Sequence, residues 1–426
     1  MPVYAPGDNL ADGRLDLQPP RPWDSIGAEA RGPAHTQRMD SQAFSASPGG
    51  RVVHTRTSYD AFVPDPLPPR LAWGSELALA VEQAGLALGR LSGVLQGEEA
   101  RYSPLLLARD AVGGVRSEGR TVRMAEFYEP AATGSEPGAA VRPASNYGAA
   151  FAHARERLEE LPVSLRLMRE LHFILLDGVA DPRSTPGEFR RSQNWLGEPG
   201  CALSNASYVP PPVVEMHALL DNWERFLHES DGLPALVRLS LAQCQFLAIQ
   251  PFLDMNALTG AVICPVLLQH LGVAQVPLPV FGRLLERQGS PLLPRVLAVC
   301  ATGCWEEWLC WHLHAVADAA RETLESALRL RELHDRQVQC TGANEPESAV
   351  RRMLDLFFQR PVLSTAQVVA ECGLAPGEAG DALDRLESAG VLKHGAGPHG
   401  EMLVAAAVIE ALEEGSQVPG FSRAAF

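Results

Sequence analysis

The chain has 426 residues, and of its 36 cationic side chains only Lys393 is a lysine, the remainder being arginines. Against 51 acidic residues this leaves a formal charge of -15, so attraction to nucleic-acid phosphate or anionic lipid is not a property of the surface as a whole. With 46% hydrophobic and 20% charged residues the chain can bury a substantial core, and its length favours two or three domains.

The first residues, MPVYAPGDNLADGRLDLQPPRPWDS, lack a basic segment leading into an apolar one, and no run of about 18 apolar residues follows anywhere. The eight cysteines are scattered over a long chain, which reads as buried thiols in a reducing compartment. A cytoplasmic protein without membrane contact is the expectation.

Residues 1–56 are rich in Pro, Gly, Ser, Asp and Arg without a sustained apolar period, and are expected to form a disordered extension. Folding is expected from residue 57, where Tyr59 to Trp73 is a proline-rich extended strap, each proline fixing φ and removing a donor. From Ser75 to about Leu95, Leu77, Val81, Ala84 and Leu88 recur at helical spacing. The strap and helices to residue 147 form an N-terminal clasp in this reading.

Residues 148–338 repeat helical periodicity with short breaks and predict an all-α core. Only Ser192 to Pro212 is punctuated by Gly197, Pro199, Gly200 and Asn205, as a short hairpin would be. After a polar break, residues 345–412 show three short helices and a Gly-rich hairpin, the outline of a winged helix-turn-helix. Residues 413–426 are expected to be a frayed tail.

The most informative stretch is AIQPFLDMNALTGAVICPVLLQHLGV, residues 248–273. It resembles the Fic-family signature HPFxDGNGRxxR, a loop leading into a helix. The strap, the GEFRRSQNWLG and ASYVPPP segments and the terminal winged helix look like the same architecture, so the resemblance spans roughly residues 57–410. It implies a mostly α Fic-type core with a small β-hairpin flap, an N-terminal helical segment and a C-terminal winged helix.

It also implies a chemistry, the transfer of AMP from ATP to a protein hydroxyl. In that scheme the histidine is the general base, the acidic residue holds Mg²⁺, the glycines shape a phosphate cradle, and the arginines bind the outer phosphates. Here Gln250 stands at the histidine position, and an amide cannot accept a proton as imidazole does, which removes about 10²–10⁴-fold of rate. Met255 and Ala257 replace the glycines, adding a Cβ where positive φ and close approach to phosphate are needed. Leu258 and Ala261 replace the arginines and remove both charged contacts. Pro251, Phe252, Asp254 and Asn256 remain, of which Asp254 alone is a hard oxygen ligand suited to a metal ion.

A second element of the family is an inhibitory helix with the pattern [S/T]xxxE[G/N]. Glu118 and Gly119 fit it and Gly114 replaces the Ser or Thr, but the arginine that Glu118 would meet is Ala261. The target-binding flap implied by the resemblance maps to Asn194, Trp195 and Leu196, where an edge strand would capture a peptide by strand addition. An ordinary surface hairpin is the plain alternative.

Two further readings are set against simpler ones. Cys300, Cys304, Cys310, His312 and His314 lie at helical i, i+4 spacings, but the interleaved Trp305, Trp308 and Trp311 favour core packing over a metal site. The presumptive recognition helix carries Glu378, Asp381, Asp384 and Glu387 against Arg385, a sum of -4 + 1 = -3, which repels DNA and favours a protein contact. The expectation is therefore a binding or regulatory protein of Fic lineage that binds Mg²⁺ and ATP weakly or not at all. It engages a protein partner through the flap or winged helix, with homodimerisation open. The alternatives are a transferase with altered chemistry and a DNA-binding regulator.

Overall fold

The computed structural model describes residues 44–56, 58–181, 184–197, 201–229, 231–397 and 400–414. The first forty-three positions of the expected extension lie outside the described residues. Its last part does not: Phe44 is buried, and strand β1 (Gly50–His54) pairs antiparallel with β2 (Asp60–Pro64), Val52 facing Phe62. Residues 44–56, part of the expected extension, are thus folded. The cause is tertiary, because Phe44, Phe62 and Tyr208 form an aromatic cluster with centroids 5.2–6.4 Å apart.

The strap follows as expected and is pinned by Asn222, whose side-chain amide accepts from the Leu67 N–H at 2.8 Å and donates to the Leu67 carbonyl at 2.9 Å. Helix α1 (Ser75–Leu95) then buries Leu77, Ala80, Ala84, Ala87, Leu88, Leu91 and Leu95, one apolar stripe laid along the long helix α10 (Trp305–Thr341). Helix α2 (Glu99–Ser117) runs against α9 (Phe281–Thr302), and the two backbones nearly touch at Gly282. A Cβ there would stand 1.9 Å from the Asp110 carbonyl oxygen, so only glycine permits the crossing.

Helices α3 (Met124–Thr133), α4 (Arg142–Glu160), α5 (Leu165–Leu175), α6 (Val213–His228), α7 (Ala235–Ile249) and α8 (Asn256–His270) complete the body. Helix α8 is apolar on every side and correspondingly central, with Leu258 through Leu268 all buried. The expected flap hairpin is reduced to a single bridge, Leu196 to Tyr208, around a 3₁₀ turn at Leu203–Asn205.

Beyond α10 come α11 (Ala349–Phe357), α12 (Thr365–Cys372) and α13 (Pro376–Ser388), then a three-stranded antiparallel sheet in the order β3 (Val362–Leu363), β5 (Gly400–Val404), β4 (Lys393–Gly397). Ser364 and Gln367 cap α12 reciprocally, as the sequence SxxQ allows. Helix α14 (Ala406–Glu413) closes the described chain, and its Glu413 is not a tail residue. It is buried, with its carboxylate bound by Arg116 at 3.0 Å and by the Met124 N–H at 2.7 Å.

The cysteine and histidine pairs of α9 and α10 divide, His312 being buried, His314 half-buried and Cys304 exposed. Cys300 and Cys310 are buried, and no group of three or more His, Cys, Asp or Glu able to hold a metal occurs among the described residues. No described helix is long and apolar enough to cross a membrane.

His312 is fully buried, stacks on Trp308 at 5.0 Å, and has neither ring nitrogen hydrogen-bonded. Burial pushes it down to about 3, so it stays neutral in the fold at pH values where the unfolded chain protonates it. Stability is therefore full above the ordinary histidine range and lost as pH falls from about 6.5 toward 3. Between pH 7 and pH 5 this one group should cost about 2 kcal/mol. Urea unfolding of the native and His312→Phe chains at both pH values checks this; an equal pH slope in the two contradicts it.

Candidate functional site

The signature loop joins α7 to α8 and is held from outside by Arg190. That side chain is fully buried and faces no carboxylate; its guanidinium donates to the carbonyls of Gln250 (2.9 Å), Pro211 (2.5 Å), Ser192 (3.3 Å) and Ile249 (3.4 Å). Its own N–H donates to the Pro251 carbonyl at 2.9 Å. Burial pulls its pKa down to about 10, which leaves it charged at neutral pH.

Gln250 caps α7 in the left-handed region, φ 49°, and its carbonyl faces Arg190. Its side chain is turned inward, the amide donating to the Leu247 carbonyl at 2.8 Å, and only 7% of the residue is exposed. The group that stands at the base position is thus neither basic nor presented to solvent. Asn256 folds back on the loop, its side chain accepting from the Phe252 N–H and donating to the Phe252 carbonyl, both at 3.0 Å.

Asp254 is half-buried and already engaged on both oxygens. Ser184 donates to Oδ2 at 2.5 Å, and His172 Nε2 lies 3.3 Å from Oδ1. The histidine's tautomer follows from its other side: Gly187 N–H donates to Nδ1 at 3.0 Å, so the proton sits on Nε2 and points at the carboxylate. The imidazole is buried and stacked on Phe252 at 3.8 Å. Burial opposes ionisation of Asp254, but the His172 and Ser184 hydrogen bonds outweigh it and hold the carboxyl below its ordinary range. Such an acid stays ionised and is a poor proton acceptor.

Met255 corrects one expectation. A Cβ disfavours positive φ, yet Met255 occupies φ 52°, ψ 20° as the N-cap of α8. The loop keeps the backbone shape that favours glycine and carries a cost of about 1–2 kcal/mol for it. Ala257, by contrast, lies inside the first turn of α8, where a Cβ meets no steric penalty.

The two arginine positions are sealed into the core, Leu258 at 1% and Ala261 at 0% exposure. Leu258 packs on the helix that carries Glu118. A Cβ at Gly114 would stand 3.0 Å from Leu258 Cδ2 and 3.5 Å from Tyr147, so the missing Ser or Thr at 114 and the leucine at 258 fit one another. Glu118 caps the end of α2 near enough to Asp254 to feel its charge; crowding raises its carboxyl pKa, Arg120 offsets part of this, and Asp254 adds to it. Arg120 is thus the charged neighbour that favours the ionised form of Glu118, and position 261, where the inhibitory scheme has an arginine, is a buried alanine.

The flap residues divide. Asn194 is an anchor, its amide donating to the carbonyls of Phe252 (3.0 Å) and Gln250 (3.4 Å). Leu196 exchanges backbone hydrogen bonds with Tyr208. Trp195 alone faces outward, 39% exposed. Gln193, which sequence reasoning passed over, ties the segment to Tyr59 and to the Pro210 carbonyl. His172, Ser184 and Arg190 were missed as well; each lies far from the signature in sequence and is recognisable only by the loop atoms it touches.

Three comparisons agree with this geometry. Residues 162–268 match the family model described as Fic/DOC family. The proteins called protein adenylyltransferase Fic from Drosophila grimshawi and Drosophila virilis are each 30% identical over 124 residues, 29% of this chain and 23% of theirs. The match spans about a quarter of the length of those relatives. A crystal structure of a Fic family protein from Desulfovibrio desulfuricans G20 superposes with a TM-score of 0.50 at 16% identity, covering 79% of this chain and 98% of that one, a likeness of fold. The helical core and its signature loop define a Fic-type scaffold. Residues 162–268 carry a Fic-type domain, and over 124 residues the chain is similar to proteins called adenylyltransferases.

Two substitutions test the site's construction. Arg190→Met strips donors from three buried carbonyls and a part-buried one and should destabilise the chain by about 3–5 kcal/mol, with Arg190→Lys recovering only part; a loss under about 1 kcal/mol in denaturant titration contradicts the account. Leu258→Arg forces an unpaired guanidinium against Gly114 and Tyr147 and should cost about 3 kcal/mol or more, visible as a lowered Tm.

Proposed function

We propose that this protein is a Fic scaffold that has left nucleotidyl transfer and acts by binding another protein. The observation that carries the proposal is the Leu258–Gly114 contact, which fills with hydrocarbon the place where the family's first arginine would meet the nucleotide's phosphates. Gln250 supports it, its amide committed to the Leu247 carbonyl. Asp254 supports it as well, both of its oxygens being taken by His172 and Ser184. The residues present do not fit ATP and Mg²⁺, so no step is drawn through either.

A transferase using Asp254 as its base finds no support in a carboxyl held below its ordinary range. DNA binding through the winged-helix-like module finds none in α13, where Glu378, Asp381 and Asp384 are all exposed. What the fold offers a partner is the outward edge of the flap at Trp195, where a strand can be added without catalysis.

Calorimetry of the full chain with ATP and Mg²⁺ should show no binding up to millimolar nucleotide, and micromolar affinity overturns the proposal. In the same vein, labelled nucleotides and nucleotide-linked donors should leave the chain unmodified; transfer from any of them restores an enzymatic reading.

A further inference from the structure

While the inner stripe of α1 packs along α10, the opposite side of the helix exposes two leucines seven residues apart, Leu79 at 50% and Leu86 at 53%. At about 100° per residue, Leu79, Glu82, Leu86, Gly89, Arg90 and Gly93 all fall within about 60° of Leu86 around the helix axis. Every one of them is exposed, so they form one continuous outer face.

Two of these residues are costly where they stand. Gly89 and Gly93 lie inside the helix, where glycine is a poorer helix former than alanine, and a Cβ at either would meet nothing within 4 Å. No contact among the described residues requires them to be small. The charges of the face are equally unused: Glu82 and Arg90 are exposed, and among the described residues neither has a hydrogen bond or an ion pair.

The spacing is symmetric about Leu86. Glu82 lies four residues before it and Arg90 four after, while Leu79 lies seven before and Gly93 seven after. In a two-fold contact each residue meets what its equivalent meets in return, so a face docks on its own copy only if it is complementary to itself. Laid antiparallel across a two-fold axis at Leu86, two copies of α1 set Glu82 level with Arg90 of the second copy, and Leu79 level with Gly93 of the second copy. Opposite charges then meet on both sides of the centre. Each leucine faces a position without a side chain, which lets the two backbones approach closely.

We propose that the outer face of α1 is a homodimer interface, an antiparallel helix pair centred on Leu86. An unrelated helix is the poorer occupant, because mirrored spacing of the charges is a requirement of self-association alone. The contact is one 21-residue helix wide, at the small end of specific interfaces, so the dimer is reversible, with a Kd on the order of micromolar. It stands or falls independently of the flap and of the signature loop.

Sedimentation velocity of the full chain, over a dilution series spanning the micromolar range, tests this. The native chain should pass from monomer to dimer. Leu86→Glu sets two carboxylates against each other on the axis and should weaken dimerisation at least about tenfold, with the Tm of the monomer unchanged. Glu82→Arg and Arg90→Glu should each weaken it alone; the two variants mixed should form a heterodimer, and the double variant should dimerise again. Gly93→Leu separates interface from fold, since it should raise the monomer's Tm through helix propensity while weakening the dimer. Val214→Ser, at an exposed apolar residue on α6, should dimerise as the native chain does. A chain that stays monomeric throughout the series overturns the proposal. A dimer that survives Leu86→Glu or is lost in Val214→Ser lies on another face and overturns it too, as does a charge-swapped double variant no better than the single ones.

Discussion

One buried cation organises the loop on which this protein's function turns. Arg190 donates to carbonyls of the flap segment, of the proline run before α6, and of the end of α7. A guanidinium suits this task because its fork satisfies several acceptors in fixed directions, and carbonyl dipoles stabilise its charge without a carboxylate. Gln250 can therefore hold a left-handed conformation at the end of α7. Met255 sits in the same unfavourable region, which shows the surrounding contacts overriding a local preference of about 1–2 kcal/mol.

A second buried ionic network joins the rest. Arg116 on α2 meets Glu286 on α9 and Glu413 on α14, Arg283 pairs with Glu286 and Glu322, and Arg109 donates to the Leu412 carbonyl. Asp110, fully buried, accepts from the Arg283 backbone and from Tyr147. Desolving so many charges is costly, and such clusters are tolerated when each member is matched. Here they tie the helix that carries Glu118 both to the core and to the last helix of the chain. That segment, inhibitory by resemblance, serves as a structural strut whose Gly114 receives Leu258.

The losses at the site are mutually consistent in physical terms. Leu258 lies against Gly114 in an apolar contact, and Ala261 is fully buried as well. Asp254 stays ionised, with its two oxygens hydrogen-bonded by His172 on α5 and by Ser184 in the segment after it.

Much of the fold was legible because it rests on periodicity. The stripe of α1, the wholly apolar α8 and the Ser364–Gln367 capping box are local patterns that local physics reads. The signature positions were legible for the same reason, since Gln250, Leu258 and Ala261 lack the required chemistry in any fold. The structure alone decided that residues 44–54 join the fold, because β1 pairs with β2 and Phe44 packs on Phe62 and Tyr208. It likewise decided that Glu413 is core, that Asn194 is an anchor, and that Asp254 is closed by His172 and Ser184. Chemistry that is missing can be read from a list of residues. Which remaining groups satisfy one another depends on contacts between residues up to about three hundred positions apart, as Arg116 and Glu413 are, and only folding brings these together.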